Sequence, residues 1–364
     1  MFGTTPSPLS RRALLRMAGA SGLAAVAAAC APSAPAPEAP AVPTSAAAPT
    51  PFKPNVEAAK AEGKVVGYGS MITSQETNLR EILQAQSGLP FEFVRIPTRN
   101  QLITRVETEQ NAGVRIVDFI DQETGTIDYL VKEGLIQKMP PAILQRVPEA
   151  WRDPNGYWVA WFKTPVGFIY NTQLVPAAEA PKTMDDLLNS KWKGKIALTN
   201  PILNSTFGSW FYFWQKQLGQ EKADAFFKGL AAQNPTLFES GLTVSTNVNQ
   251  GQFSIGLGFL THVLSVGGPG GRMNFMKLDP QPGIVSGIAM LKTQPHPNAA
   301  VVLADTMIGS TFLTRAASIG YLVPLPGIKS AIPGLDDLNV KILPEIPNQE
   351  ADRFGTYLKS VFAK

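Results

Sequence analysis

Few side chains in this 364-residue chain can do covalent chemistry: it has two histidines and one cysteine. One histidine, His262, closes the stretch FSIGLGFLTH (253–262), an apolar run of strand character that stops at Thr261 and His262. An imidazole titrates near neutrality, so it can serve as a base, a metal ligand or one wall of a binding pocket. The sequence offers it no local partner, although catalytic triads are spatial rather than sequential. There is no G-x-S-x-G elbow, no Walker loop and no H-E-x-x-H. The glycine run Gly267–Gly271 lacks phosphate-loop spacing behind a strand and reads as a flexible turn. A binding protein, not an enzyme, is the expectation, with no cofactor. A ligand-sensing subunit and an exported enzyme are the rivals from other classes.

Polar groups suited to non-covalent capture are more plentiful, and they cluster where strands pass into helices. GYGSMITSQ places Ser70, Thr73 and Ser74 after one strand. TNPILNSTFGSW places Asn200, Asn204, Ser205 and Thr206 after another, just before a helix rich in aromatics. Helix N-termini carry unpaired N–H groups and partial positive charge, so hydroxyls there either hold an anion or simply cap the helix. DFIDQETG brings a third junction, where Asp121, Gln122, Glu123 and Thr124 follow a strand and Asp118 reads as structural. Glu123 is either a cleft ligand or a helix cap. Lys163 either meets an anionic ligand or faces solvent. Trp161, Phe207, Trp210 and Phe259 supply either a stacking wall or core.

These junctions need a scaffold of alternating strands and helices, and the sequence has that rhythm. KVVGYGS, FEFVRI and RIVDFID read as strands, and between and after them lie SQETNLREILQAQSG, NQLITRVETEQNAG and TGTIDYLVKEGL as helices. Such alternation argues for an α/β fold with a mostly parallel sheet. YWVAWFKTPVGFIYN (157–171) breaks the rhythm with two extended segments interrupted at Lys163–Pro165, able to carry the chain from one lobe into another. A second set of helices and strands follows, including KIALTN, SIGLGF and GIVSGIAMLK. HPNAAVVLADTMIGSTFLTRAAS reads as one long helix, and a proline-rich tail ends in a short helix near Glu350–Phe362.

The first thirty residues form an export signal: Arg11 and Arg12 precede a short apolar run too brief to span a bilayer. Residues 31–55 hold eight prolines in 25 positions and form a semi-rigid Pro/Ala-rich tether. The whole chain carries 32 basic and 28 acidic side chains; three arginines fall in the signal, leaving 29 against 28. That balance gives no electrostatic footprint for nucleic acid.

Three stretches carry a resemblance. AAKAEGKVVGYGS, LNSKWKGKIALTNPILNSTFGSW and GIAMLKTQPHPNAAVVLADTMIGS, in this order, resemble bacterial family-1 extracellular solute-binding proteins of ABC importers, in the branch that includes ferric-iron binders. The resemblance implies a type II periplasmic-binding-protein fold, with two α/β lobes and a ligand cleft between them. Lobe one would take residues 56–163 and 287–325, lobe two 164–286, and residues 326–364 would pack on the lobes. The signal resembles the twin-arginine type, with an ordinary Sec signal as the alternative. AAAC resembles a lipobox, so Cys30 is either lipidated or lost with the signal. The implied partners are a small solute and a membrane permease with its ATPase, and the implied state is a monomer in the periplasm or at the cell surface.

The resemblance also fixes expectations for the ligand. Iron binders place a glutamate near Glu123 and paired tyrosines near Thr261 and His262; this chain has no Tyr-Tyr pair. An organic anion is therefore expected, such as a phosphonate, phosphate ester or carboxylate, with ferric iron or another metal as the alternative. The ligand would meet Ser70, Thr73, Ser74, Gln122, Glu123, Lys163, Asn200, Ser205, Thr206, Phe259, Thr261 and His262.

Overall fold

A computed structural model describes residues 52–96 and 98–363. Residues 1–51, with the expected export signal, Cys30 and most of the expected tether, lie outside the described residues. Among the described residues eleven strands form the frame: β1 (Val65–Gly69), β2 (Phe91–Arg95), β3 (Phe119–Glu123), β4 (Ile136–Gln137), β5 (Trp158–Asn171), β6 (Ile196–Thr199), β7 (Thr236–Phe238), β8 (Ile255–Phe259), β9 (Met273–Phe275), β10 (Gln281–Leu291) and β11 (Val340–Ile342). The main order is β2-β1-β3-β10-β5-β8-β6-β7.

Two lobes share this path. In the first, β1 runs parallel to β2 and β3, and β10 closes antiparallel on β3 and β5. In the second, β6 runs parallel to β7 and β8, and β5 is antiparallel to β8. The interrupted apolar run is thus one 14-residue strand whose first half, Trp158–Pro165, pairs with β10 and whose second half, Val166–Tyr170, pairs with β8. Pro165 sits at the switch, where the pairing partner changes. Opposite it, Gly283 is required by close approach: a Cβ there would lie 2.9 Å from the Thr164 carbonyl and 3.1 Å from Pro165 Cα. Every β5 residue but Lys163 is buried, which is why the run reads as continuously apolar.

Helices cover both faces of each lobe. On one face of the first, Leu79 and Leu83 pack with Trp161, Leu303 and Phe312; on the other, Leu102, Val106, Ile127 and Leu130 pack with Tyr68 and Ile120. The opening helix Val56–Glu62 does more than pack: its Glu62 carboxylate accepts from Asn298 N (3.1 Å), Asn298 Nδ2 (2.7 Å) and Ala299 N (2.8 Å), capping the helix Pro297–Met307. The long helix expected after His296 is in fact two, Pro297–Met307 and Ser310–Ser318, because Gly309 turns to extended backbone (φ −78°, ψ 150°).

The second lobe is built on the aromatic helix Ser205–Leu218, whose Trp210 and Phe211 meet Phe168, Phe227 and Phe362 edge-on. Phe362 belongs to the last helix, Asn348–Phe362, 15 residues long, which also buries Phe354 and Leu358 on this lobe. Burying each such side chain is worth about 1.5–3 kcal/mol. The chain reaches that helix by way of β11, which pairs with the start of β10, and then residues 343–347.

Candidate functional site

The carboxyl ends of β2, β3 and β6 lead into three helices that converge on one cavity of about 560 Å³. Such ends are where open α/β sheets hold ligands. The helix Arg99–Asn111 contributes Thr98, Arg99 and Asn100; the end of β3 and helix Thr124–Lys132 contribute Gln122, Glu123 and Thr126. From the other lobe the aromatic helix contributes Ser205, Thr206 and Ser209. Leu343–Ile346 close one side. A roomier groove of about 810 Å³, around Lys138, Pro140 and Arg152, is lined by residues 137–156 of one lobe only.

The cleft combines helix N-termini with one cation, Arg99, and two acids, Glu123 and Glu345. Neither Thr98 nor Glu123 caps its helix with its side chain, so first-turn N–H groups stay open to a ligand. At the third helix, Asn204 accepts from Phe207 N at 3.4 Å. Arg99 lies over the Tyr129 ring (5.4 Å) and forms an ion pair with Glu345. Burial lowers the Arg99 pKa, while Tyr129 and Glu123 push it back up. Glu123 touches cleft solvent but stands between protein walls; the lost hydration raises its pKa, and Arg99 opposes the rise.

Behind this floor sits Asp121, fully buried in β3. Its Oδ1 accepts from Trp161 Nε1 at 2.7 Å, whereas Oδ2 has no partner. Burial raises its pKa to about 7, against the pull of Trp161, the Ser70 and Met71 amides and Ser286.

Of the expected residues, Gln122, Glu123, Ser205 and Thr206 share the cavity wall. Gln122 is buried and its Oε1 accepts from Glu123 N at 3.0 Å, fixing the strand end. Ser70 stands beside β3, donating its backbone N–H to Asp121 O at 3.0 Å, and Thr73 and Ser74 open the exposed start of helix Thr73–Ser87; none of the three lines the cavity. Lys163 is engaged beneath the crossing: its Nζ donates to Ala150 O at 3.0 Å and lies 4.2 Å from the Trp151 ring centroid, with burial and then Lys341 lowering its pKa. Asn200 accepts from Ile202 N at 2.9 Å and lines a separate cavity of about 300 Å³ beside Phe362.

Phe259 and His262 are not part of that cavity wall. Phe259 meets Phe207 edge-on at 5.4 Å and His262 at 5.5 Å. His262 Nδ1 is 2.7 Å from Ser245 Oγ, and Ser245 donates to Gly241 O at 2.9 Å. That leaves Nδ1 as donor to Ser245, and burial lowers the His262 pKa to about 4, so the ring is neutral at working pH. Thr261 is buried, with its carbonyl facing the turn at Gly320. Among the described residues no three His, Cys, Asp or Glu side chains are grouped to hold a metal ion.

Sequence reasoning missed Arg99 and Glu345. Arg99 left a legible signal: a cation in the first turn of a helix opposes the macrodipole, a cost that a nearby negative charge offsets, here that of Glu345. Glu345 left none, lying in a proline-rich tail 246 residues from its partner.

The two α/β lobes joined through β5, with a cleft at strand ends, define the two-lobed periplasmic-binding architecture. Known proteins agree. The structure is similar to iron-bound HitA from Pseudomonas aeruginosa (TM-score 0.67, 18% identity, 81% of this chain and 99% of that one). It is also similar to the substrate binding protein of an ABC transporter from Agrobacterium tumefaciens (0.67, 14%, 82% and 94%). A third likeness is to AfuA from Actinobacillus pleuropneumoniae with exogenous fructose-6-phosphate bound (0.64, 17%, 82% and 98%). At these identities the likeness is one of fold. An uncharacterised protein of Haemophilus influenzae is 25% identical over 213 residues, which span 56% of this chain and 60% of that relative's length. The family model of bacterial extracellular solute-binding proteins matches residues 116–355, and the chain belongs to that family.

Proposed function

We propose that the protein is the substrate-binding component of an ABC importer and that its cleft captures a small organic anion, a phosphate ester, phosphonate or carboxylate. The observation that carries this reading is the convergence of three helix N-termini and Arg99 on one cavity shared by both lobes. Hydroxyls of Thr126, Ser205, Thr206 and Ser209 suit the acceptor oxygens of such a group. AfuA, of like fold, holds a sugar phosphate, which supports the same chemistry here. Binding across both lobes favours closure, because contacts to the second lobe are made only when the cleft shuts. The closed form then docks on a membrane permease whose ATPase supplies the work. Export and family membership go together, and we read Cys30 as the lipid-bearing residue that tethers the body outside the cytoplasmic membrane. Among the described residues no helix is long and apolar enough to cross a membrane.

Ferric iron is the second reading, favoured by the likeness to iron-bound HitA and by Glu123 in the cleft. A thermal-shift screen over sugar phosphates, aminophosphonates, carboxylates and Fe(III) separates the two. The expected result is a concentration-dependent rise in Tm with a phosphoryl or carboxylate compound, absent in Arg99→Gln. A visible tyrosinate-type charge-transfer band and a Tm rise with Fe(III) alone would reverse the assignment.

A further inference from the structure

The segment after β11 is a strap across the cleft. Leu343 N donates to Gly283 O at 2.8 Å where the lobes join, Ile346 lies over Gly208 of the aromatic helix, and the helix beyond is packed on lobe two. From this strap Glu345 reaches back to lobe one and pairs with Arg99. Its carboxylate also lies against Gly125, in the first turn of the helix Thr124–Lys132: a Cβ on Gly125 would come within 2.5 Å of Glu345 Oε1. A glycine therefore makes room for a carboxylate at a helix N-terminus, beside a guanidinium. The chain's own side chain occupies the kind of place an acidic ligand would take.

We propose that Glu345 is an internal occupant of the cleft's anion site and that solute enters by exchanging its acidic group for the Glu345 carboxylate on Arg99. The inference rests on the organic-anion reading of the cleft and adds the residue that sets its threshold. Exchange favours a phosphoryl group, which brings more charge and three acceptor oxygens, over a single carboxylate like the one it replaces. Glu345 then acts as a filter: weak monoanions do not displace it, and strong dianions do. Arg99 and Glu345 are each partly open to solvent, with 34% and 51% of their side-chain surface exposed, so the contact can open without unfolding the strap.

Titration calorimetry with inorganic phosphate and with acetate tests this on the wild type, Glu345→Gln, Arg99→Gln and the double variant. Glu345→Gln removes the competing charge while keeping the side chain's shape. It is expected to bind phosphate roughly tenfold more tightly than the wild type, and to bind acetate measurably where the wild type does not. Both proteins carrying Arg99→Gln are expected to bind neither. Equal or weaker phosphate binding by Glu345→Gln, still dependent on Arg99, overturns the role of Glu345 and leaves the anion cleft standing. Absence of phosphate binding in both the wild type and Glu345→Gln overturns the exchange outright. The organic-anion reading is then decided separately, by the wild type's response to organic phosphates and carboxylates.

Discussion

Asp121 and His262 place two opposed pH dependences in one protein, and replacing either exposes the other. Asp121 is buried in lobe one with Oδ2 unpartnered, and its pKa is raised from 3.8 to about 7. The unfolded chain releases this proton from about pH 4 upward while the folded chain keeps it to about pH 7. Stability is therefore full at low pH and falls as pH rises through that window. The difference between 3.8 and about 7 corresponds to on the order of 4 kcal/mol. His262 in lobe two runs the other way. Its pKa is lowered from 6.5 to about 4, so between those values the unfolded chain binds a proton that the folded chain refuses. Its contribution is full above pH 6.5 and is lost as pH falls, on the order of 3 kcal/mol in total. Asp118, Asp128 and Glu123 are also raised by burial, so each variant is read as its difference from the wild type. Urea titrations followed by tryptophan fluorescence from about pH 4 to about pH 7 give the unfolding free energy at each pH. Relative to the wild type, Asp121→Asn is expected to gain stability progressively as pH rises. His262→Gln, which can still donate to Ser245, is expected to gain relative stability as pH falls. A difference that stays constant with pH for Asp121→Asn would refute the claim that this carboxyl is held protonated by burial.

Two further outcomes follow from the same packing. Glu62→Ala removes the acceptor for three donors at the start of helix Pro297–Met307 and is expected to cost about 1–2 kcal/mol, with Glu62→Gln recovering part of it; unchanged urea midpoints for both would sink the capping role. In the membrane fraction, the intact mass is expected to show a mature N-terminus at Cys30 carrying a diacylglycerol; a mature end beyond Cys30 with no lipid would remove the anchor.

The parts of this fold that were legible in the sequence are those written in local pattern. Leu79, Ile82 and Leu83 fall on one helical face and are buried together, and the strands before and after them follow the expected α/β alternation. The division at Lys163–Pro165 was legible too, but as a break, because a proline and a lysine interrupt an apolar run. In the structure the strand continues and only its partners change, which no local pattern records. The helix break at Gly309 was hidden because MIGST keeps the surrounding polarity of a helix while one glycine takes extended backbone.

The cleft divides along the same line. Gln122, Glu123, Ser205 and Thr206 were found because a strand end followed by a hydroxyl, amide or acid is a local signal for a helix N-terminus. The same signal marked Ser70, Thr73, Ser74 and Asn200, which the fold places elsewhere, since such a motif says that N–H groups are open and not which cavity they face. His262 drew attention for its rarity, yet its ring is spoken for by Ser245 and by Phe259, both within eighteen residues in sequence. Glu345 is the opposite case: an ordinary acid in an irregular tail, made meaningful only by Arg99 and Gly125, each more than two hundred residues away. Its carboxylate stands in the cavity that the local motifs point into, at the helix N-terminus they identify. The chain places its own carboxylate there, on Arg99, and the proposed exchange turns on its displacement.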